Sequence, residues 1–269
     1  VNRCGGIMGM KLFDSHCHLE DSAFEKDLEA VLERALEAGV EGIMVVGDTG
    51  PSSARAVSIA RAHKGCHASV GVHPHDAKTC DPDLLEELTE LARDPLVRAW
   101  GEIGLDYNRM HSPAQVQESW FVRQLDVAAR LALPVILHER DSGGRLLDLL
   151  RAHGGRMAGA VIHCFSGSGP ELSAYLRLGC HIGLTGIVTQ KQRGRALREL
   201  MPVIPRERIL IETDAPYLTP SPERNRHRRN EPAFLPSVLL GVAAALGEDP
   251  GPLSEVIWEN TCRFYGIGV

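Results

Sequence analysis

Short apolar runs and one-sided helical stripes alternate along this chain. Phe24, Leu28, Val31, Leu32, Ala35 and Leu36 recur at the spacing of one buried helix face, and Gly39 ends the stripe. KLFDSHCHL before it and EGIMVVG after it are apolar runs bounded by turn residues, as buried parallel strands are, so a βαβ unit is predicted. The order then repeats. A helix over Pro51 to His63 precedes the strand HASVGV (67–72), and Asp81 with Pro82 opens a helix carrying Leu84, Leu85, Leu88 and Leu91. LVRAWGEIG (96–104) follows as a strand. Ser112-Pro113-Ala114-Gln115 reads as a capping box for a long helix through Trp120, Phe121, Leu125 and Ala128. Strands at 134–138, 160–165, 180–184 and 208–213 alternate with helices at Leu146 to Leu150, after the capping box Ser168 with Glu171, and near Arg195 to Leu200. Two helices, near Pro232 to Leu246 and Leu253 to Tyr265, finish the chain.

Eight strands, each followed by a helix or helical loop, within about 255 residues predict an α/β protein of the single-domain (β/α)8 TIM-barrel class. An open doubly wound sheet is the rival, but no GxGxxG or GxxxxGK[ST] follows a strand. The domain is expected to span 10–269, with VNRCGGIMG (1–9) an extension or expression remnant. Of the residues, 43% are hydrophobic and 24% charged, which excludes disorder and leaves ample material for a core. Apolar stretches such as Val238 to Leu246 are about half the ~20 residues needed to cross a bilayer, so no membrane partner is expected. Seven cysteines without CxxC spacing suit reduced thiols and a cytoplasmic location. The net charge of −6 argues against bulk coating of nucleic acid. Against that background the run RNRHRR (224–229) is a local basic cluster.

Metal-ligating residue types stand at the C-terminal ends of the predicted strands, where barrel enzymes build their active sites. Strand one ends in His16-Cys17-His18, whose two imidazoles share a face while Cys17 turns toward the helices as core filler. Twelve histidines would produce about 0.5 HxH pairs by chance, so the pair alone decides little. Glu102, His138, His163 and Asp214 at the ends of strands four, five, six and eight change that. Imidazole and carboxylate together suit a divalent metal ion such as Zn, Mn or Mg. Four histidines and two acids exceed the need of one hydrolytic ion, so two divalent metal ions are expected, with Glu102 the natural bridge.

FDSHCHLE, GVHPHDA, GEIGLDY, LHERD, IHCFSG, IETDAPYL and RNEPAF stand in order, and in this the chain resembles the TatD family of metal-dependent hydrolases over about residues 11–267. The resemblance implies an amidohydrolase-like barrel and a deoxyribonuclease, often a 3′→5′ exonuclease acting on DNA ends or single-stranded DNA. A D-aminoacyl-tRNA deacylase, or another ester or amide hydrolase on the same site, is the alternative it carries. It further implies that His16, His18, Glu102 and Asp214 hold one ion and Glu102, His138 and His163 the other. Asp214 would accept the proton of the attacking water, and His73 in GVHPH would contact substrate or stabilise the transition state.

Asp106 and Tyr107 are placed on the loop following the bridging Glu102 and counted as facing substrate. Asp106 would also order a ligand water or histidine through a hydrogen bond. Arg140 shares parity with His138 and could pair with phosphate; the family more often shows Ser before this Arg, where Glu139 stands here and adds an acid near the mouth. His75 is read as a rim histidine. Glu212 should point inward beneath Asp214, either supporting the site or pairing a charge in the interior. Arg229 and the rest of the 224–229 cluster would flank the mouth and contact phosphates. With only 13 aromatics a long stacking platform is not expected, and Tyr107 and Tyr217 are the ones near the site. No stable protein partner is evident, and the oligomeric state is open.

Overall fold

The computed structural model describes residues 9–268, so the expected extension lies outside the described residues apart from Gly9. Its strands are β1 (Leu12–Cys17), β2 (Val40–Val46), β3 (Cys66–Val70), β4 (Val97–Asp106), β5 (Val135–Arg140), β6 (Ala160–Ile162), β7 (His181–Leu184) and β8 (Ile209–Ile211). Helices α1 (Leu28–Glu37), α2 (Gly50–Ala62), α3 (Pro82–Leu91), α4 (Ala114–Leu131), α5 (Arg145–His153), α6 (Gly169–Arg177), α7 (Arg195–Leu200) and α8 (Leu235–Leu246) each follow a strand, and α9 (Pro250–Tyr265) ends the chain. The strands form one eight-stranded sheet in the order β1 to β8. Just beyond β8, Asp214 N donates to His16 O of β1 at 2.9 Å. This is the strand order of a (β/α)8 barrel, as predicted.

By packing, the described residues divide into two compact units: 9–44, Cys164–Ser166 and 182–268 in the first, Val45–His163 and Gly167–His181 in the second. In the first, β7 and β8 pair in parallel, Gly183 opposite Leu210, and α9 lies along β1, where Phe13 meets the rings of Trp258 and Tyr265 at 6.0 and 6.1 Å. Asp249 caps α9 by accepting Gly251 N–H, and Gly266, in the left-handed region at φ 60°, ends it. No single helix among the described residues is long and apolar enough to cross a membrane.

In the second unit β3 to β6 pair in parallel, with Gly104 opposite His138 and Leu137 opposite Ile162. Gly104 has φ +148°, and a Cβ there would collide with the His138 carbonyl, so glycine is required where β4 passes His138. Two glutamines of α4, Gln117 and Gln124, lie seven residues apart on one helix face and are buried. Gln124 accepts Val72 N–H and donates to Val72 O; Gln117 does the same for Asp106. Each holds the backbone at the end of a strand. Trp120 on the same helix is half-buried and stacks under Arg123.

Several boundaries differ from expectation for local reasons. Phe24 sits in a separate turn capped by Asp21, and α1 begins after it, leaving Leu36 64% exposed. Ser112 does not cap α4; its hydroxyl donates to His75 O and accepts Lys78 N–H, stapling the loop after β3. Ser168 and Glu171 do form their capping box. β6 and β8 are shorter than expected, ending at Ile162 and Ile211, and Cys164 and Asp214 beyond them adopt left-handed backbone, φ 47° and 55°. Asp106 is the last residue of β4 rather than part of a loop.

Candidate metal centre and active site

In the first unit Asp14 and His16 share a face of β1, and His18 follows just beyond it. His16 Nε2 and His18 Nε2 are 3.1 Å apart, and Asp214 Oδ1 lies 3.7 and 3.6 Å from them. Three atoms at these separations share a point about 2.0 Å from each, within the ~2.0–2.2 Å at which zinc-type cations bind imidazole nitrogen and carboxylate oxygen. Glu20 Oε1 stands 3.0 Å from His18 Nδ1. An ionised carboxylate only accepts, so Nδ1 carries the proton and Nε2 offers its lone pair toward that point. The donor set is that of a divalent-cation site.

Buried polar groups hold this arrangement. Asp14 Oδ1 accepts Thr213 N–H at 2.8 Å and its other oxygen accepts the Thr213 hydroxyl, joining β1 to the end of β8. Burial pushes the Asp14 carboxyl up to about 7, against the hydrogen bonds from Thr213 and His16 that lower it. Glu212 points inward, accepting Cys164 N–H at 2.7 Å and the Ser15 hydroxyl at 3.2 Å. Gly183 leaves room for it: a Cβ there would lie 2.6 Å from Glu212 Oε1. Cys17 is fully buried, in keeping with its reading as core. Tyr217 stays 53% exposed with its ring 6.0 Å from that of His18.

The second unit gathers His73, His75, Glu102, Asp106 and His138. His138 Nδ1 donates to Glu102 Oε1 at 2.7 Å, and its Nε2 is 3.4 Å from Asp106 Oδ2. Burial alone would lower its pKa, but the hydrogen bonds to Asp106 and Glu102 raise it to about 9. His75 Nε2 donates to Asp106 Oδ2 at 2.6 Å, and Asp106 Oδ1 accepts the backbone N–H groups of Asn108 and Arg109 at 2.9 and 2.7 Å. Asp106 thus orients His75 and His138, with both oxygens engaged. His75 is more than a rim residue. His73 Nδ1 accepts His75 N–H at 3.1 Å, which leaves the proton on Nε2, 3.5 Å from Glu102 Oε1. Burial and the neighbouring His138 pull its pKa down to about 4, so His73 is a neutral N–H donor. His163 is buried, and its backbone N–H donates to Leu137 O.

The remaining candidates are placed differently. The Tyr107 hydroxyl donates to Glu118 at 2.6 Å, and Arg140 is exposed beside Asp141 at 3.9 Å. Glu139 folds back onto Ser142, accepting its N–H and hydroxyl at 3.0 and 2.7 Å, and does not extend as a mouth acid. Arg229 donates to both oxygens of Asp27 at 2.7 Å and to Ala23 O at 2.6 Å, so its guanidinium is engaged within the protein. Glu20, Gln117, Gln124 and Asp14 escaped the sequence reading. For Glu20 a signal existed, since it continues the parity of His16 and His18; for the glutamines there was none, because a polar residue on a helix stripe reads as surface.

The sequence matches the family described as TatD related DNase over residues 13–266. It is 45% identical over 260 residues to the 3′-5′ ssDNA/RNA exonuclease TatD of Klebsiella pneumoniae (strain 342), covering 96% of this chain and 99% of that one. To the protein of the same name from Escherichia coli (strain K12) it is 42% identical over 261 residues, covering 95% and 99%. Among solved structures, YJJV, a TatD homologue from Escherichia coli K12, superposes with a TM-score of 0.88 at 30% identity over 96% of this chain and 98% of that one. A TatD-family hydrolase from Entamoeba histolytica has a TM-score of 0.86 at 25% identity, covering 95% and 98%. With the barrel fold and a cation-binding donor set in place, these matches show that the chain belongs to the TatD family of metal-dependent hydrolases.

Proposed function

We propose that this protein is a 3′→5′ exonuclease on single-stranded DNA or RNA, working with two divalent cations. His16, His18 and Asp214 would hold one, and His138 and His163 the other, with Glu102 assigned to both as in the sequence reading. Mg, Mn and Zn each suit this mixture of imidazole and carboxylate. A cation held there supplies Lewis acidity, activating water near neutral pH and offsetting charge on the phosphoryl oxygens. The observation that carries the reading is the triangle of His16 Nε2, His18 Nε2 and Asp214 Oδ1, whose edges of 3.1 to 3.7 Å match a single ion.

The chain's own groups have distinct tasks. Glu20 keeps the His18 proton on Nδ1. The Asp214 carboxylate takes the proton of the attacking water, as a general base just beyond the last strand. His73, neutral with its proton on Nε2, donates to a non-bridging phosphoryl oxygen as charge develops there. Asp106 orients His138 and reaches substrate only through it, whereas Arg140 is exposed to pair with a phosphate and Tyr107 shapes the rim through Glu118. The 3′ polarity follows the activity named for the relatives.

Single-stranded DNA and RNA labelled at the 5′ end separate the alternatives. Digestion from the 3′ end produces a descending ladder, whereas attack from the 5′ end releases labelled mononucleotide at once. The expected result is a ladder with Mg²⁺ or Mn²⁺, none with EDTA, and at least a ~100-fold slower reaction for Asp214→Asn with unchanged circular dichroism. No cation-dependent ladder, beside release of D-amino acid from D-aminoacyl-tRNA, would move the assignment to acyl hydrolysis.

A further inference from the structure

The loop between β8 and α8 carries Asp214 near its start and is pinned at Asn230, whose Nδ2 donates to Thr213 O at 2.8 Å and Tyr217 O at 2.6 Å. The stretch RNRHRR (224–229) before that pin has two kinds of residue. Arg229 is locked: besides its bonds to Asp27 and Ala23 it lies over the Phe24 ring at 4.7 Å. His227 rests against Phe234 with ring centroids 5.0 Å apart. Arg224, Arg226 and Arg228, which alternate with them, are exposed and make no ion pair or side-chain hydrogen bond among the described residues. The turn beneath them is braced by Ser237 donating to Glu223 at 2.6 Å.

Beside this stretch lies a groove of ≈ 810 Å³ lined by Arg34, Arg226, Arg228 and Arg229 among others. Its wall also carries Glu231 and the exposed Glu37, and Arg34 holds the Glu231 carboxylate with two bonds of 2.8 and 2.7 Å, leaving four arginines against two acids. The chain has 35 acidic residues and a net charge of −6, yet these three guanidinium groups are left to solvent on a braced loop. RNRHRR contains no aliphatic side chain that could enter a bilayer, and a guanidinium fork matches phosphate oxygens in pairs.

We propose that Arg224, Arg226 and Arg228 form a phosphate track that holds the single strand upstream of the nucleotide being removed, on the outer part of the loop that also carries Asp214. The proposal rests on the nuclease reading for its substrate. Arg229, expected from sequence to contact phosphate, serves instead as the clamp that presents the other three.

Binding of a labelled single-stranded oligonucleotide of about 20 nucleotides, followed by anisotropy in EDTA from low to high salt, tests the track without turnover. Each phosphate contact on a single strand contributes about 0.7 to the slope of log K against log salt, so the triple variant Arg224→Gln, Arg226→Gln, Arg228→Gln should show a slope shallower by about 2. The triple Lys variant, which keeps the charge, should hold the parent slope and serves as the folding control. With Mn²⁺ added, the ratio of kcat/KM for the long oligonucleotide to that for a dinucleotide should fall at least about tenfold in the Gln variant. The EDTA experiment stands whether or not the parent hydrolyses either substrate, so failure of the track and failure of the nuclease reading are told apart. Equal slopes for parent and Gln variant, or parent binding to vesicles rich in phosphatidylserine in preference to the oligonucleotide, would overturn the proposal.

Discussion

At the scale of single residues, the centre depends on which ring nitrogen carries a proton. His18 can offer Nε2 to a cation only while Nδ1 keeps its hydrogen, and Glu20, 3.0 Å away, stabilises that tautomer. Glu20→Ala is therefore expected to lower Mn²⁺ affinity about 10- to 100-fold, measured by titration against a competing chelator, while Glu20→Gln, whose amide oxygen still accepts, recovers most of it. Equal affinity in the Ala variant and the parent would show that Glu20 does not position His18. The ligand types themselves were legible in the sequence, because strand parity decides that His16 and His18 can meet. Their partner was less so: parity aligns Glu20 with them, but Glu20 lies beyond the strand, where parity no longer dictates direction.

At the scale of elements, strands three and four are held from the helix side by Gln117 and Gln124, so the strand ends bearing His73 and Asp106 are fixed by hydrogen bonds as well as by apolar packing. The hydrophobic pattern located α4 but not the role of its two buried amides, since a polar residue on a helix reads as surface when burial is judged from composition alone. β3 also carries a pH-sensitive group. Burial, with Arg98 nearby, pulls the His67 imidazole down to about 4 from 6.5. Between those values the unfolded chain binds the extra proton and the folded chain does not. The stability due to neutral His67 is thus fully present above pH 6.5 and is lost as pH falls toward 4. Melting temperatures measured in EDTA from pH 7.5 to 4.5 should fall less steeply for His67→Gln than for the parent; identical slopes would remove His67 as a cause.

At the scale of the whole molecule, cation binding and folding are coupled, because the three donors of the first centre come from residues nearly 200 positions apart and meet only in the folded chain. A cation at about 100 times its dissociation constant contributes about 2.7 kcal/mol, which for a chain of this size raises the melting temperature by roughly 5–10 °C. Thermal denaturation with Mn²⁺ and with EDTA should show that rise in the parent and a much smaller one in a His16→Ala, His18→Ala variant. The same melting temperature in both conditions would mean that the native state gains nothing from the ion. The net negative charge leaves attraction of nucleic acid to local features, among them the exposed Arg224, Arg226 and Arg228.

The alternation of strands and helices, the barrel class and the residue types at the strand ends were determined by the sequence alone, because hydrophobic period, turn residues and strand parity are properties of neighbours along the chain. Distances across the chain belonged to the tertiary structure. It decided that Asp214 Oδ1 completes the triangle with two histidines, that Asp106 is spent on His75 and His138, and that Arg229 clamps while the arginines beside it stay exposed. Whether a charged side chain is spent inside the protein or left for a ligand depends on what the fold brings within about 3 Å of it, and no pattern of neighbouring residues contains that information.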